Sequence, residues 1–561
     1  MAKTILTSWE RFKGLVALDK KDILQILYYA IFVGLVNLSL PLGIQAIINL
    51  IQGAQMSTSW IVLVVLVTLG VAFAGVLQLM QIRIIENIQQ KIFTRSAFEF
   101  AHRFPKIKME AFGFQYPPEL ANRFFDTLTV QKSFSKILVD VPAAALQILF
   151  GLMLLSFYHP FFILYGFMLV ALVYVVFKFT AEKGLNTSLD ESKQKYKVAH
   201  WIQEIARSIT AFKISGKTSH AMDKSDALVL EYLKARESHF RILVIQFIQM
   251  IGFKVLVTAG LLLIGGLLVL NQQMNIGQFV AAEIIILLVI NSVEKLIFRL
   301  ETFYDLLTSL EKLGQVVDKD LEAQTGDKPQ WDDDPLTIEL KDVSYKIEGT
   351  DQLAVADVSM IIPPNSKIWI PSASSSGKTT LLQLIGGLIT PTKGTIYINN
   401  RDLIGINLNH YRSMLGFVLL TETPFEGTIL DNITFGDKRI SNADVAQVLE
   451  KTGLTEFVKK QSKGIHTTIF PEGQHIPSSV GKKIILARSL VRKPKLLLLK
   501  EPLDQIDELE ANTIMDYLVD PSNPWSLIVI SKNPRWGLVT DRTLKLANGK
   551  LIDDYKAKKG N

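Results

Sequence analysis

The sequence predicts two fold classes in one chain: a membrane-embedded bundle of six α-helices, followed by a cytosolic α/β phosphate-loop domain on a largely parallel sheet. Three observations predict it. Six long apolar stretches fill the first 300 residues, the composition turns polar at Asp318–Pro335, and strand-like and helix-like runs then alternate around a Gly377-Lys378-Thr379 turn. At 561 residues, 49% hydrophobic and 20% charged, the chain is too long for one domain and too apolar for an ordinary soluble enzyme.

Charge and cysteine content exclude several function classes. Lys and Arg number 60 against 53 Asp and Glu, a net charge of +7 that is modest for this length, and no basic block is dense enough to name nucleic acid as a partner. Contact with anionic membrane lipid accounts for the excess more simply. The chain has no cysteine, which removes structural disulfides, thiolate metal sites, iron–sulfur clusters and cysteine nucleophiles together.

Residues 1–22 are polar and carry Lys3, Arg11, Lys13, Lys20 and Lys21, unlike a cleavable signal peptide. Residues 23–317 hold the helices. Ile26–Ile48, Trp60–Gln81, Val141–Tyr158 and Phe161–Phe177 are uncharged, while Ile242–Leu270 and Ile276–Val293 each carry one charge, Lys254 and Glu283. At about 1.5 Å per residue, roughly 17–25 residues cross a hydrocarbon core, so each stretch spans once. The linkers Asn49–Ser59, His159–Pro160 and Asn271–Asn275 lack Lys and Arg, whereas Arg83–Lys136 and Lys178–Arg241 are rich in both. Basic residues accumulate on the cytoplasmic side, which places both termini in the cytoplasm and suits a bacterial inner membrane.

Apolar residues at helical spacing in Ile84–Phe104 and Glu191–Arg241 carry the helices on into the cytosol. Leu296, Leu300, Phe303, Leu307, Leu310 and Leu313 do the same after the sixth span. Glu283, below the outer end of its helix, is a candidate for substrate contact or for a structural hydrogen bond to a neighbouring helix or to water. Lys254, near an inner end, is expected to snorkel to the headgroups.

Residues 318–335 read as a linker, where Asp, Glu, Gln, Gly and Pro replace the apolar stripe. In residues 336–561, strand-like runs at Leu336–Leu340, Lys367–Ile370, Gly394–Ile398, Leu496–Leu499 and Ser526–Ile530 alternate with helical ones. Roughly 225 residues suffice for one such core. Directly after the strand Lys367–Ile370 comes Ser372-Ala373-Ser374-Ser375-Ser376-Gly377-Lys378-Thr379-Thr380, then the helical run Leu381–Ile389. A phosphate-binding loop has the form GxxxxGK[ST] in this setting, its N–H groups and Lys holding phosphate and its hydroxyl holding Mg²⁺. Gly377, Lys378 and Thr379 satisfy it, with Ser372 in place of the first glycine.

With six helices, inward extensions and this domain in order, the chain resembles an ABC exporter half-transporter over nearly its whole length, including the type I secretion branch. Glu119-Leu120-Ala121-Asn122-Arg123 is similar to that family's first coupling segment. Gly427-Thr428-Ile429-Leu430-Asp431-Asn432-Ile433, Leu486-Ala487-Arg488, Lys493 to Leu499 and Glu501-Pro502 follow the framework in order. The resemblance implies a six-helix transmembrane domain plus a cytosolic α/β P-loop nucleotide-binding domain. It also implies ATP and Mg²⁺ as cofactors, and a dimer, either a homodimer or a heterodimer with a sister half-transporter. The transported substrate stays unassigned.

Against the family pattern this sequence departs at several positions. Family glycines at 372 and 375 are both serine, and the adenine-stacking aromatic falls at Ile347, with Tyr345 as a substitute. The glutamine that senses Mg²⁺ falls at Leu420, and the signature segment reads Ile476-Pro477-Ser478-Ser479-Val480. The Walker B aspartate is Lys500 and the switch histidine is Lys532, whereas Glu501 keeps the general-base position and Asp507 the D-loop acid. The expectation is an export subunit with ATP hydrolysis weak or lost; the alternative is a non-enzymatic scaffold or regulatory pseudo-transporter. Nucleotide binding is expected to draw on Ser372, Ser374, Ser375, Ser376, Gly377, Lys378, Thr379, Thr380, Tyr345, Lys500 and Lys532. Any Mg²⁺ would sit at Thr379. Lys378, Lys500 and Lys532 could converge to supply fixed positive charge in place of the metal, or Lys378 or Lys500 could pair with Glu501.

Overall fold

The computed structural model describes residues 6–52, 58–331, 334–372 and 377–556, and the chain divides into two units. The first comprises Met1–Pro105 with Gln115–Lys319, and the second Lys106–Phe114 with Asp320–Asn561.

Among the described residues of the first unit, six helical segments are long and apolar enough to cross a membrane: Lys20–Gln52, Thr58–Lys106, Pro117–Ser156, Phe161–Arg207, His220–Leu270 and Ile276–Val317. Each contains one of the apolar stretches, except that Val141–Tyr158 runs two residues past the end of its segment at Ser156. The first is broken into Lys20–Asn37 and Ser39–Gln52. Pro41 lies in the first turn of the second piece, where its missing N–H costs nothing, and it cannot bond back to Asn37 to continue the first. Apolar side chains such as Ile61, Leu66, Leu69, Phe73 and Leu79 point outward on the second segment, as lipid-facing positions do.

The core of this unit gathers on the sixth segment, with Leu155, Phe162, Met250 and Phe253 around Ile285, Val289 and Val293. A second cluster joins Ile26, Ile88, Phe134, Leu306 and Leu310. The polar N-terminal segment proves to contain a helix, Ser8–Leu18, started by a Thr7–Glu10 capping box. Its Phe12, Leu15 and Val16 pack on the second cluster, and Arg11 pairs with Asp318. The helical spacing in Glu191–Arg241 is carried by two long helices: one stops at Arg207, and after the short helix Ile209–Ile214 the other starts at His220. Gly216 takes φ +71 between them, and the Thr218 hydroxyl accepts from the His220 N–H, turn chemistry that the apolar spacing does not announce. Lys254 pairs with Glu294 at 3.7 Å, and Glu283 is half-buried.

The second unit is a sheet sandwich. Its strands are β1 Ile338–Lys346, β2 Leu353–Ile362, β3 Lys367–Pro371, β4 Lys393–Ile398, β5 Arg401–Asp402, β6 Leu415–Val418, β7 Gly427–Thr428, β8 Thr468–Ile469, β9 Leu496–Lys500, β10 Ser526–Ser531, β11 Arg542–Ala547 and β12 Lys550–Lys556. The larger sheet runs β12-β11-β3-β10-β9-β6, parallel from β11 to β6. Leu496–Leu499 of β9 are wholly buried, as central parallel strands covered on both faces must be. An antiparallel sheet, β2-β1-β4-β5, lies beside it; the sequence offered β1 and β4 but not their antiparallel pairing.

Chain from both sides of residues 115–319 closes this unit. Ile107 bridges Leu321, the Glu322 N–H donates to the Lys106 carbonyl at 2.7 Å, and the Thr390 N–H donates to Glu110 Oε1 at 2.7 Å.

Candidate functional site

The site is assembled at the C-terminal ends of β3, β9 and β10, where ligands of parallel α/β sheets collect. β3 ends at Pro371, and the Ser372 N–H donates to the Ser531 carbonyl at the end of β10 at 3.1 Å. Ser374, Ser375 and Ser376 lie outside the described residues. Gly377 caps the helix Lys378–Ile385 at φ +78, and a Cβ there would collide with the Ala354 carbonyl, so only glycine fits. The Leu381 N–H bonds the Gly377 carbonyl at 2.9 Å, so the helix presents its N-terminal, positive end at Lys378–Thr380. Lys378 is buried at this point. Burial, and then the charge of Lys500, hold its ammonium below the usual lysine range.

Lys500 closes β9, and its Nζ donates to Thr379 Oγ1 at 2.6 Å. These residues stand 121 positions apart in the chain, and the parallel sheet brings them together. Glu501 follows at φ +47, and this left-handed turn takes its side chain out of the strand's alternation. Its carboxylate accepts from the Ser531 hydroxyl at 3.0 Å and from the Lys532 N–H at 3.1 Å. Among the described residues, Lys500 makes no ion pair with Glu501. The Lys532 side chain is exposed, so its backbone rather than its ammonium meets Glu501. Ser531 is a site residue that sequence reasoning missed, because nothing in its neighbourhood marks one serine at a strand end.

The remaining predicted residues lie elsewhere in the unit. Tyr345 lines a cavity of about 840 Å³ with Lys108, Glu110, Ile347, Thr390 and Thr392, and the turn Gly377–Thr380 is not part of that lining. Leu420 is exposed, and its carbonyl accepts from Lys482 Nζ at 2.8 Å. Pro477 stands at the N-cap of the helix Ser478–Leu490, which has no side-chain cap. Asp507 caps Glu508–Val519, accepting from the Leu509 N–H. Two framework segments do meet: Arg488 donates to the Asn432 carbonyl at 2.7 Å and to its side chain at 2.9 Å.

The residues at this turn fit phosphate. The positive end of a helix and the neighbouring Lys378 and Lys500 side chains are the chemistry that an anion would need there. They do not suit Mg²⁺, which needs oxygen ligands in a near-octahedral array: among the described residues the hydroxyl at the expected metal position, Thr379 Oγ1, already accepts a cationic donor.

Residues 23–293 match the ABC transporter transmembrane region and residues 355–504 the ABC transporter domain. In domain make-up, a transmembrane region followed by an ABC transporter domain, the chain is similar to ABC exporter half-transporters. It is an integral membrane protein, and the second match takes in Gly377 to Thr380, Lys500 and Glu501. Family membership of that domain implies ATP binding. The chain is 26% identical, over 60% of its length and 58% of the relative's, to a Rickettsia felis protein named for export ATP-binding/permease function. It is also 26% identical to the alpha-hemolysin translocation ATP-binding protein HlyB of Escherichia coli O157:H7, over 55% of its own length and 43% of HlyB. It therefore covers less than two thirds of either relative. A solved bacterial Atm1-family ABC exporter with ATP bound shares the fold, with a TM-score of 0.84 at 16% identity over 96% of this chain and 95% of that one.

Proposed function

We propose that the half-transporter works as a dimer, with itself or with a sister subunit, to export a substrate across a bacterial inner membrane. Both termini are cytoplasmic, ATP is bound, and hydrolysis is weak or lost. The observation that carries this reading is the hydrogen bond from Lys500 to Thr379 Oγ1. Metal-assisted phosphoryl transfer depends on a dication that neutralises developing charge on the phosphates. An ammonium at that hydroxyl supplies one charge instead of two and no exchangeable water ligands. Glu501, held by Ser531 and the Lys532 N–H, keeps the position of a general base without a metal to act beside.

Turnover by the full chain in lipid nanodiscs, with and without Mg²⁺ and against Lys378→Ala, tests this reading. The expected result is no Mg²⁺-dependent hydrolysis above that variant. Mg²⁺-dependent turnover that disappears in Lys378→Ala would overturn the weak-hydrolysis reading and leave an active exporter.

A second reading, a non-enzymatic membrane scaffold or regulatory pseudo-transporter, is favoured by Pro477. A proline at the cap of Ser478–Leu490 removes an N–H from the helix end that would face an anion. Stable homodimers that bind no nucleotide would favour it.

A further inference from the structure

We propose that the turn Gly377–Thr380 takes the polyphosphate chain of a nucleotide without a divalent cation, the Lys500 ammonium standing where the metal would stand. The inference rests on the reading that this domain binds ATP, and it names the ionic form in which ATP enters.

Lys500 is fixed in place by its strand. The four residues before it are wholly buried, and β9 is paired in parallel on both sides, to β10 and to β6. The strand fixes where the side chain starts, and the bond to Thr379 Oγ1 holds the ammonium at the hydroxyl a metal would use. It spends one of its three donors on Thr379, and among the described residues it makes no ion pair. Among the described residues no carboxylate takes up its other two donors, which suit phosphate oxygens.

Lys378 lies buried at the adjoining helix start, next in the chain to Thr379, whose hydroxyl the Lys500 ammonium holds. Two neighbouring ammoniums beside a helix N-terminus repel each other in a partly dry site. A polyanion between them relieves that repulsion, whereas a metal–polyphosphate complex, already partly neutralised, relieves less and adds a third cation. The site thus prefers a metal-free polyanion. The carboxylate beside it does not reverse the balance, because Glu501 is turned to Ser531 and the Lys532 N–H.

Equilibrium binding to the full chain in nanodiscs decides the matter, with ATP titrated in EDTA and in excess Mg²⁺, and tripolyphosphate and AMP as competitors. Affinity in EDTA is expected to equal or exceed that in Mg²⁺. Tripolyphosphate is expected to displace ATP, and AMP to fail. Lys500→Asp should weaken binding in EDTA at least tenfold and regain affinity when Mg²⁺ is added, while Lys500→Met should weaken it without that recovery. Thermal unfolding of each variant shows whether it folds.

ATP bound in Mg²⁺ and lost in EDTA would overturn the inference and leave the nucleotide-binding reading standing. ATP bound under neither condition would overturn both. Competition by AMP as strong as by tripolyphosphate would also overturn it, since the phosphate chain would then not be what is recognised.

Discussion

Lys367 opens β3 with its side chain buried and its ammonium donating to the Trp525 carbonyl. Burial pushes its pKa down to about 8, against the smaller opposing pull of Asp541 and Asp520. Because the unfolded value is near 10.4, the unfolded chain holds more protons between about pH 8 and 10, and stability must rise with pH through that window. Below it both states are protonated and the burial penalty is felt in full. Thermal unfolding followed by circular dichroism at about pH 8 and 9.5 should show this rise in the parent and a flatter profile in Lys367→Met; equal slopes would contradict the assignment. At this scale the sequence named most of the chemistry but not its pairings. Lys500 and Thr379 were both candidates, and only the parallel register brings the two together. Glu501 was a candidate partner for Lys378 or Lys500, yet its left-handed backbone directs it to Ser531, a conformation no side-chain pattern announces.

Elements were legible wherever a long apolar stretch or a strand-like run dominated, which covers the six spans and β3, β9 and β10. They were hidden where short-range chemistry decides: the break before Pro41, the reversal at Gly216, and the capping box that starts Ser8–Leu18. The run 318–335, read as a linker from its polar composition, makes specific contacts instead. Arg412 grips Glu322 with two bonds of 2.7 and 2.8 Å, and Asn407 Nδ2 donates to the Gln324 carbonyl at 2.8 Å. Both partners of the ion pair are mostly buried, so removing one strands the other's charge. Arg412→Ala is expected to destabilise the second unit by about 2–4 kcal/mol. A change under about 0.5 kcal/mol in denaturant unfolding would show that water satisfies Glu322 equally well.

For the whole molecule, the two-part organisation was plain in the composition, because a membrane and a soluble core demand opposite residue choices. Apart from Ile276–Val317, half of whose most apolar window is buried, the spanning helices bury only 11–28% of theirs. This leaves wide apolar surface for lipid and for a second half-transporter. Native mass spectrometry from mild detergent should therefore give twice the 62.9 kDa chain mass, or that mass plus a sister subunit; a monomer at every concentration would sink the dimer proposal.

The composition did not betray that the second unit is discontinuous, with Lys106–Phe114 belonging to it. During synthesis this segment leaves the ribosome roughly two hundred residues before Leu321, its bridge partner, so closing the unit is a late event of high contact order. Chain-entropy costs grow only slowly with such a separation, and the membrane helices between shorten the effective distance once they have inserted. Translation that stalls before Asp320 would leave Ile107 and Lys106 without their partners, a species recognisable to quality-control proteases by that open segment.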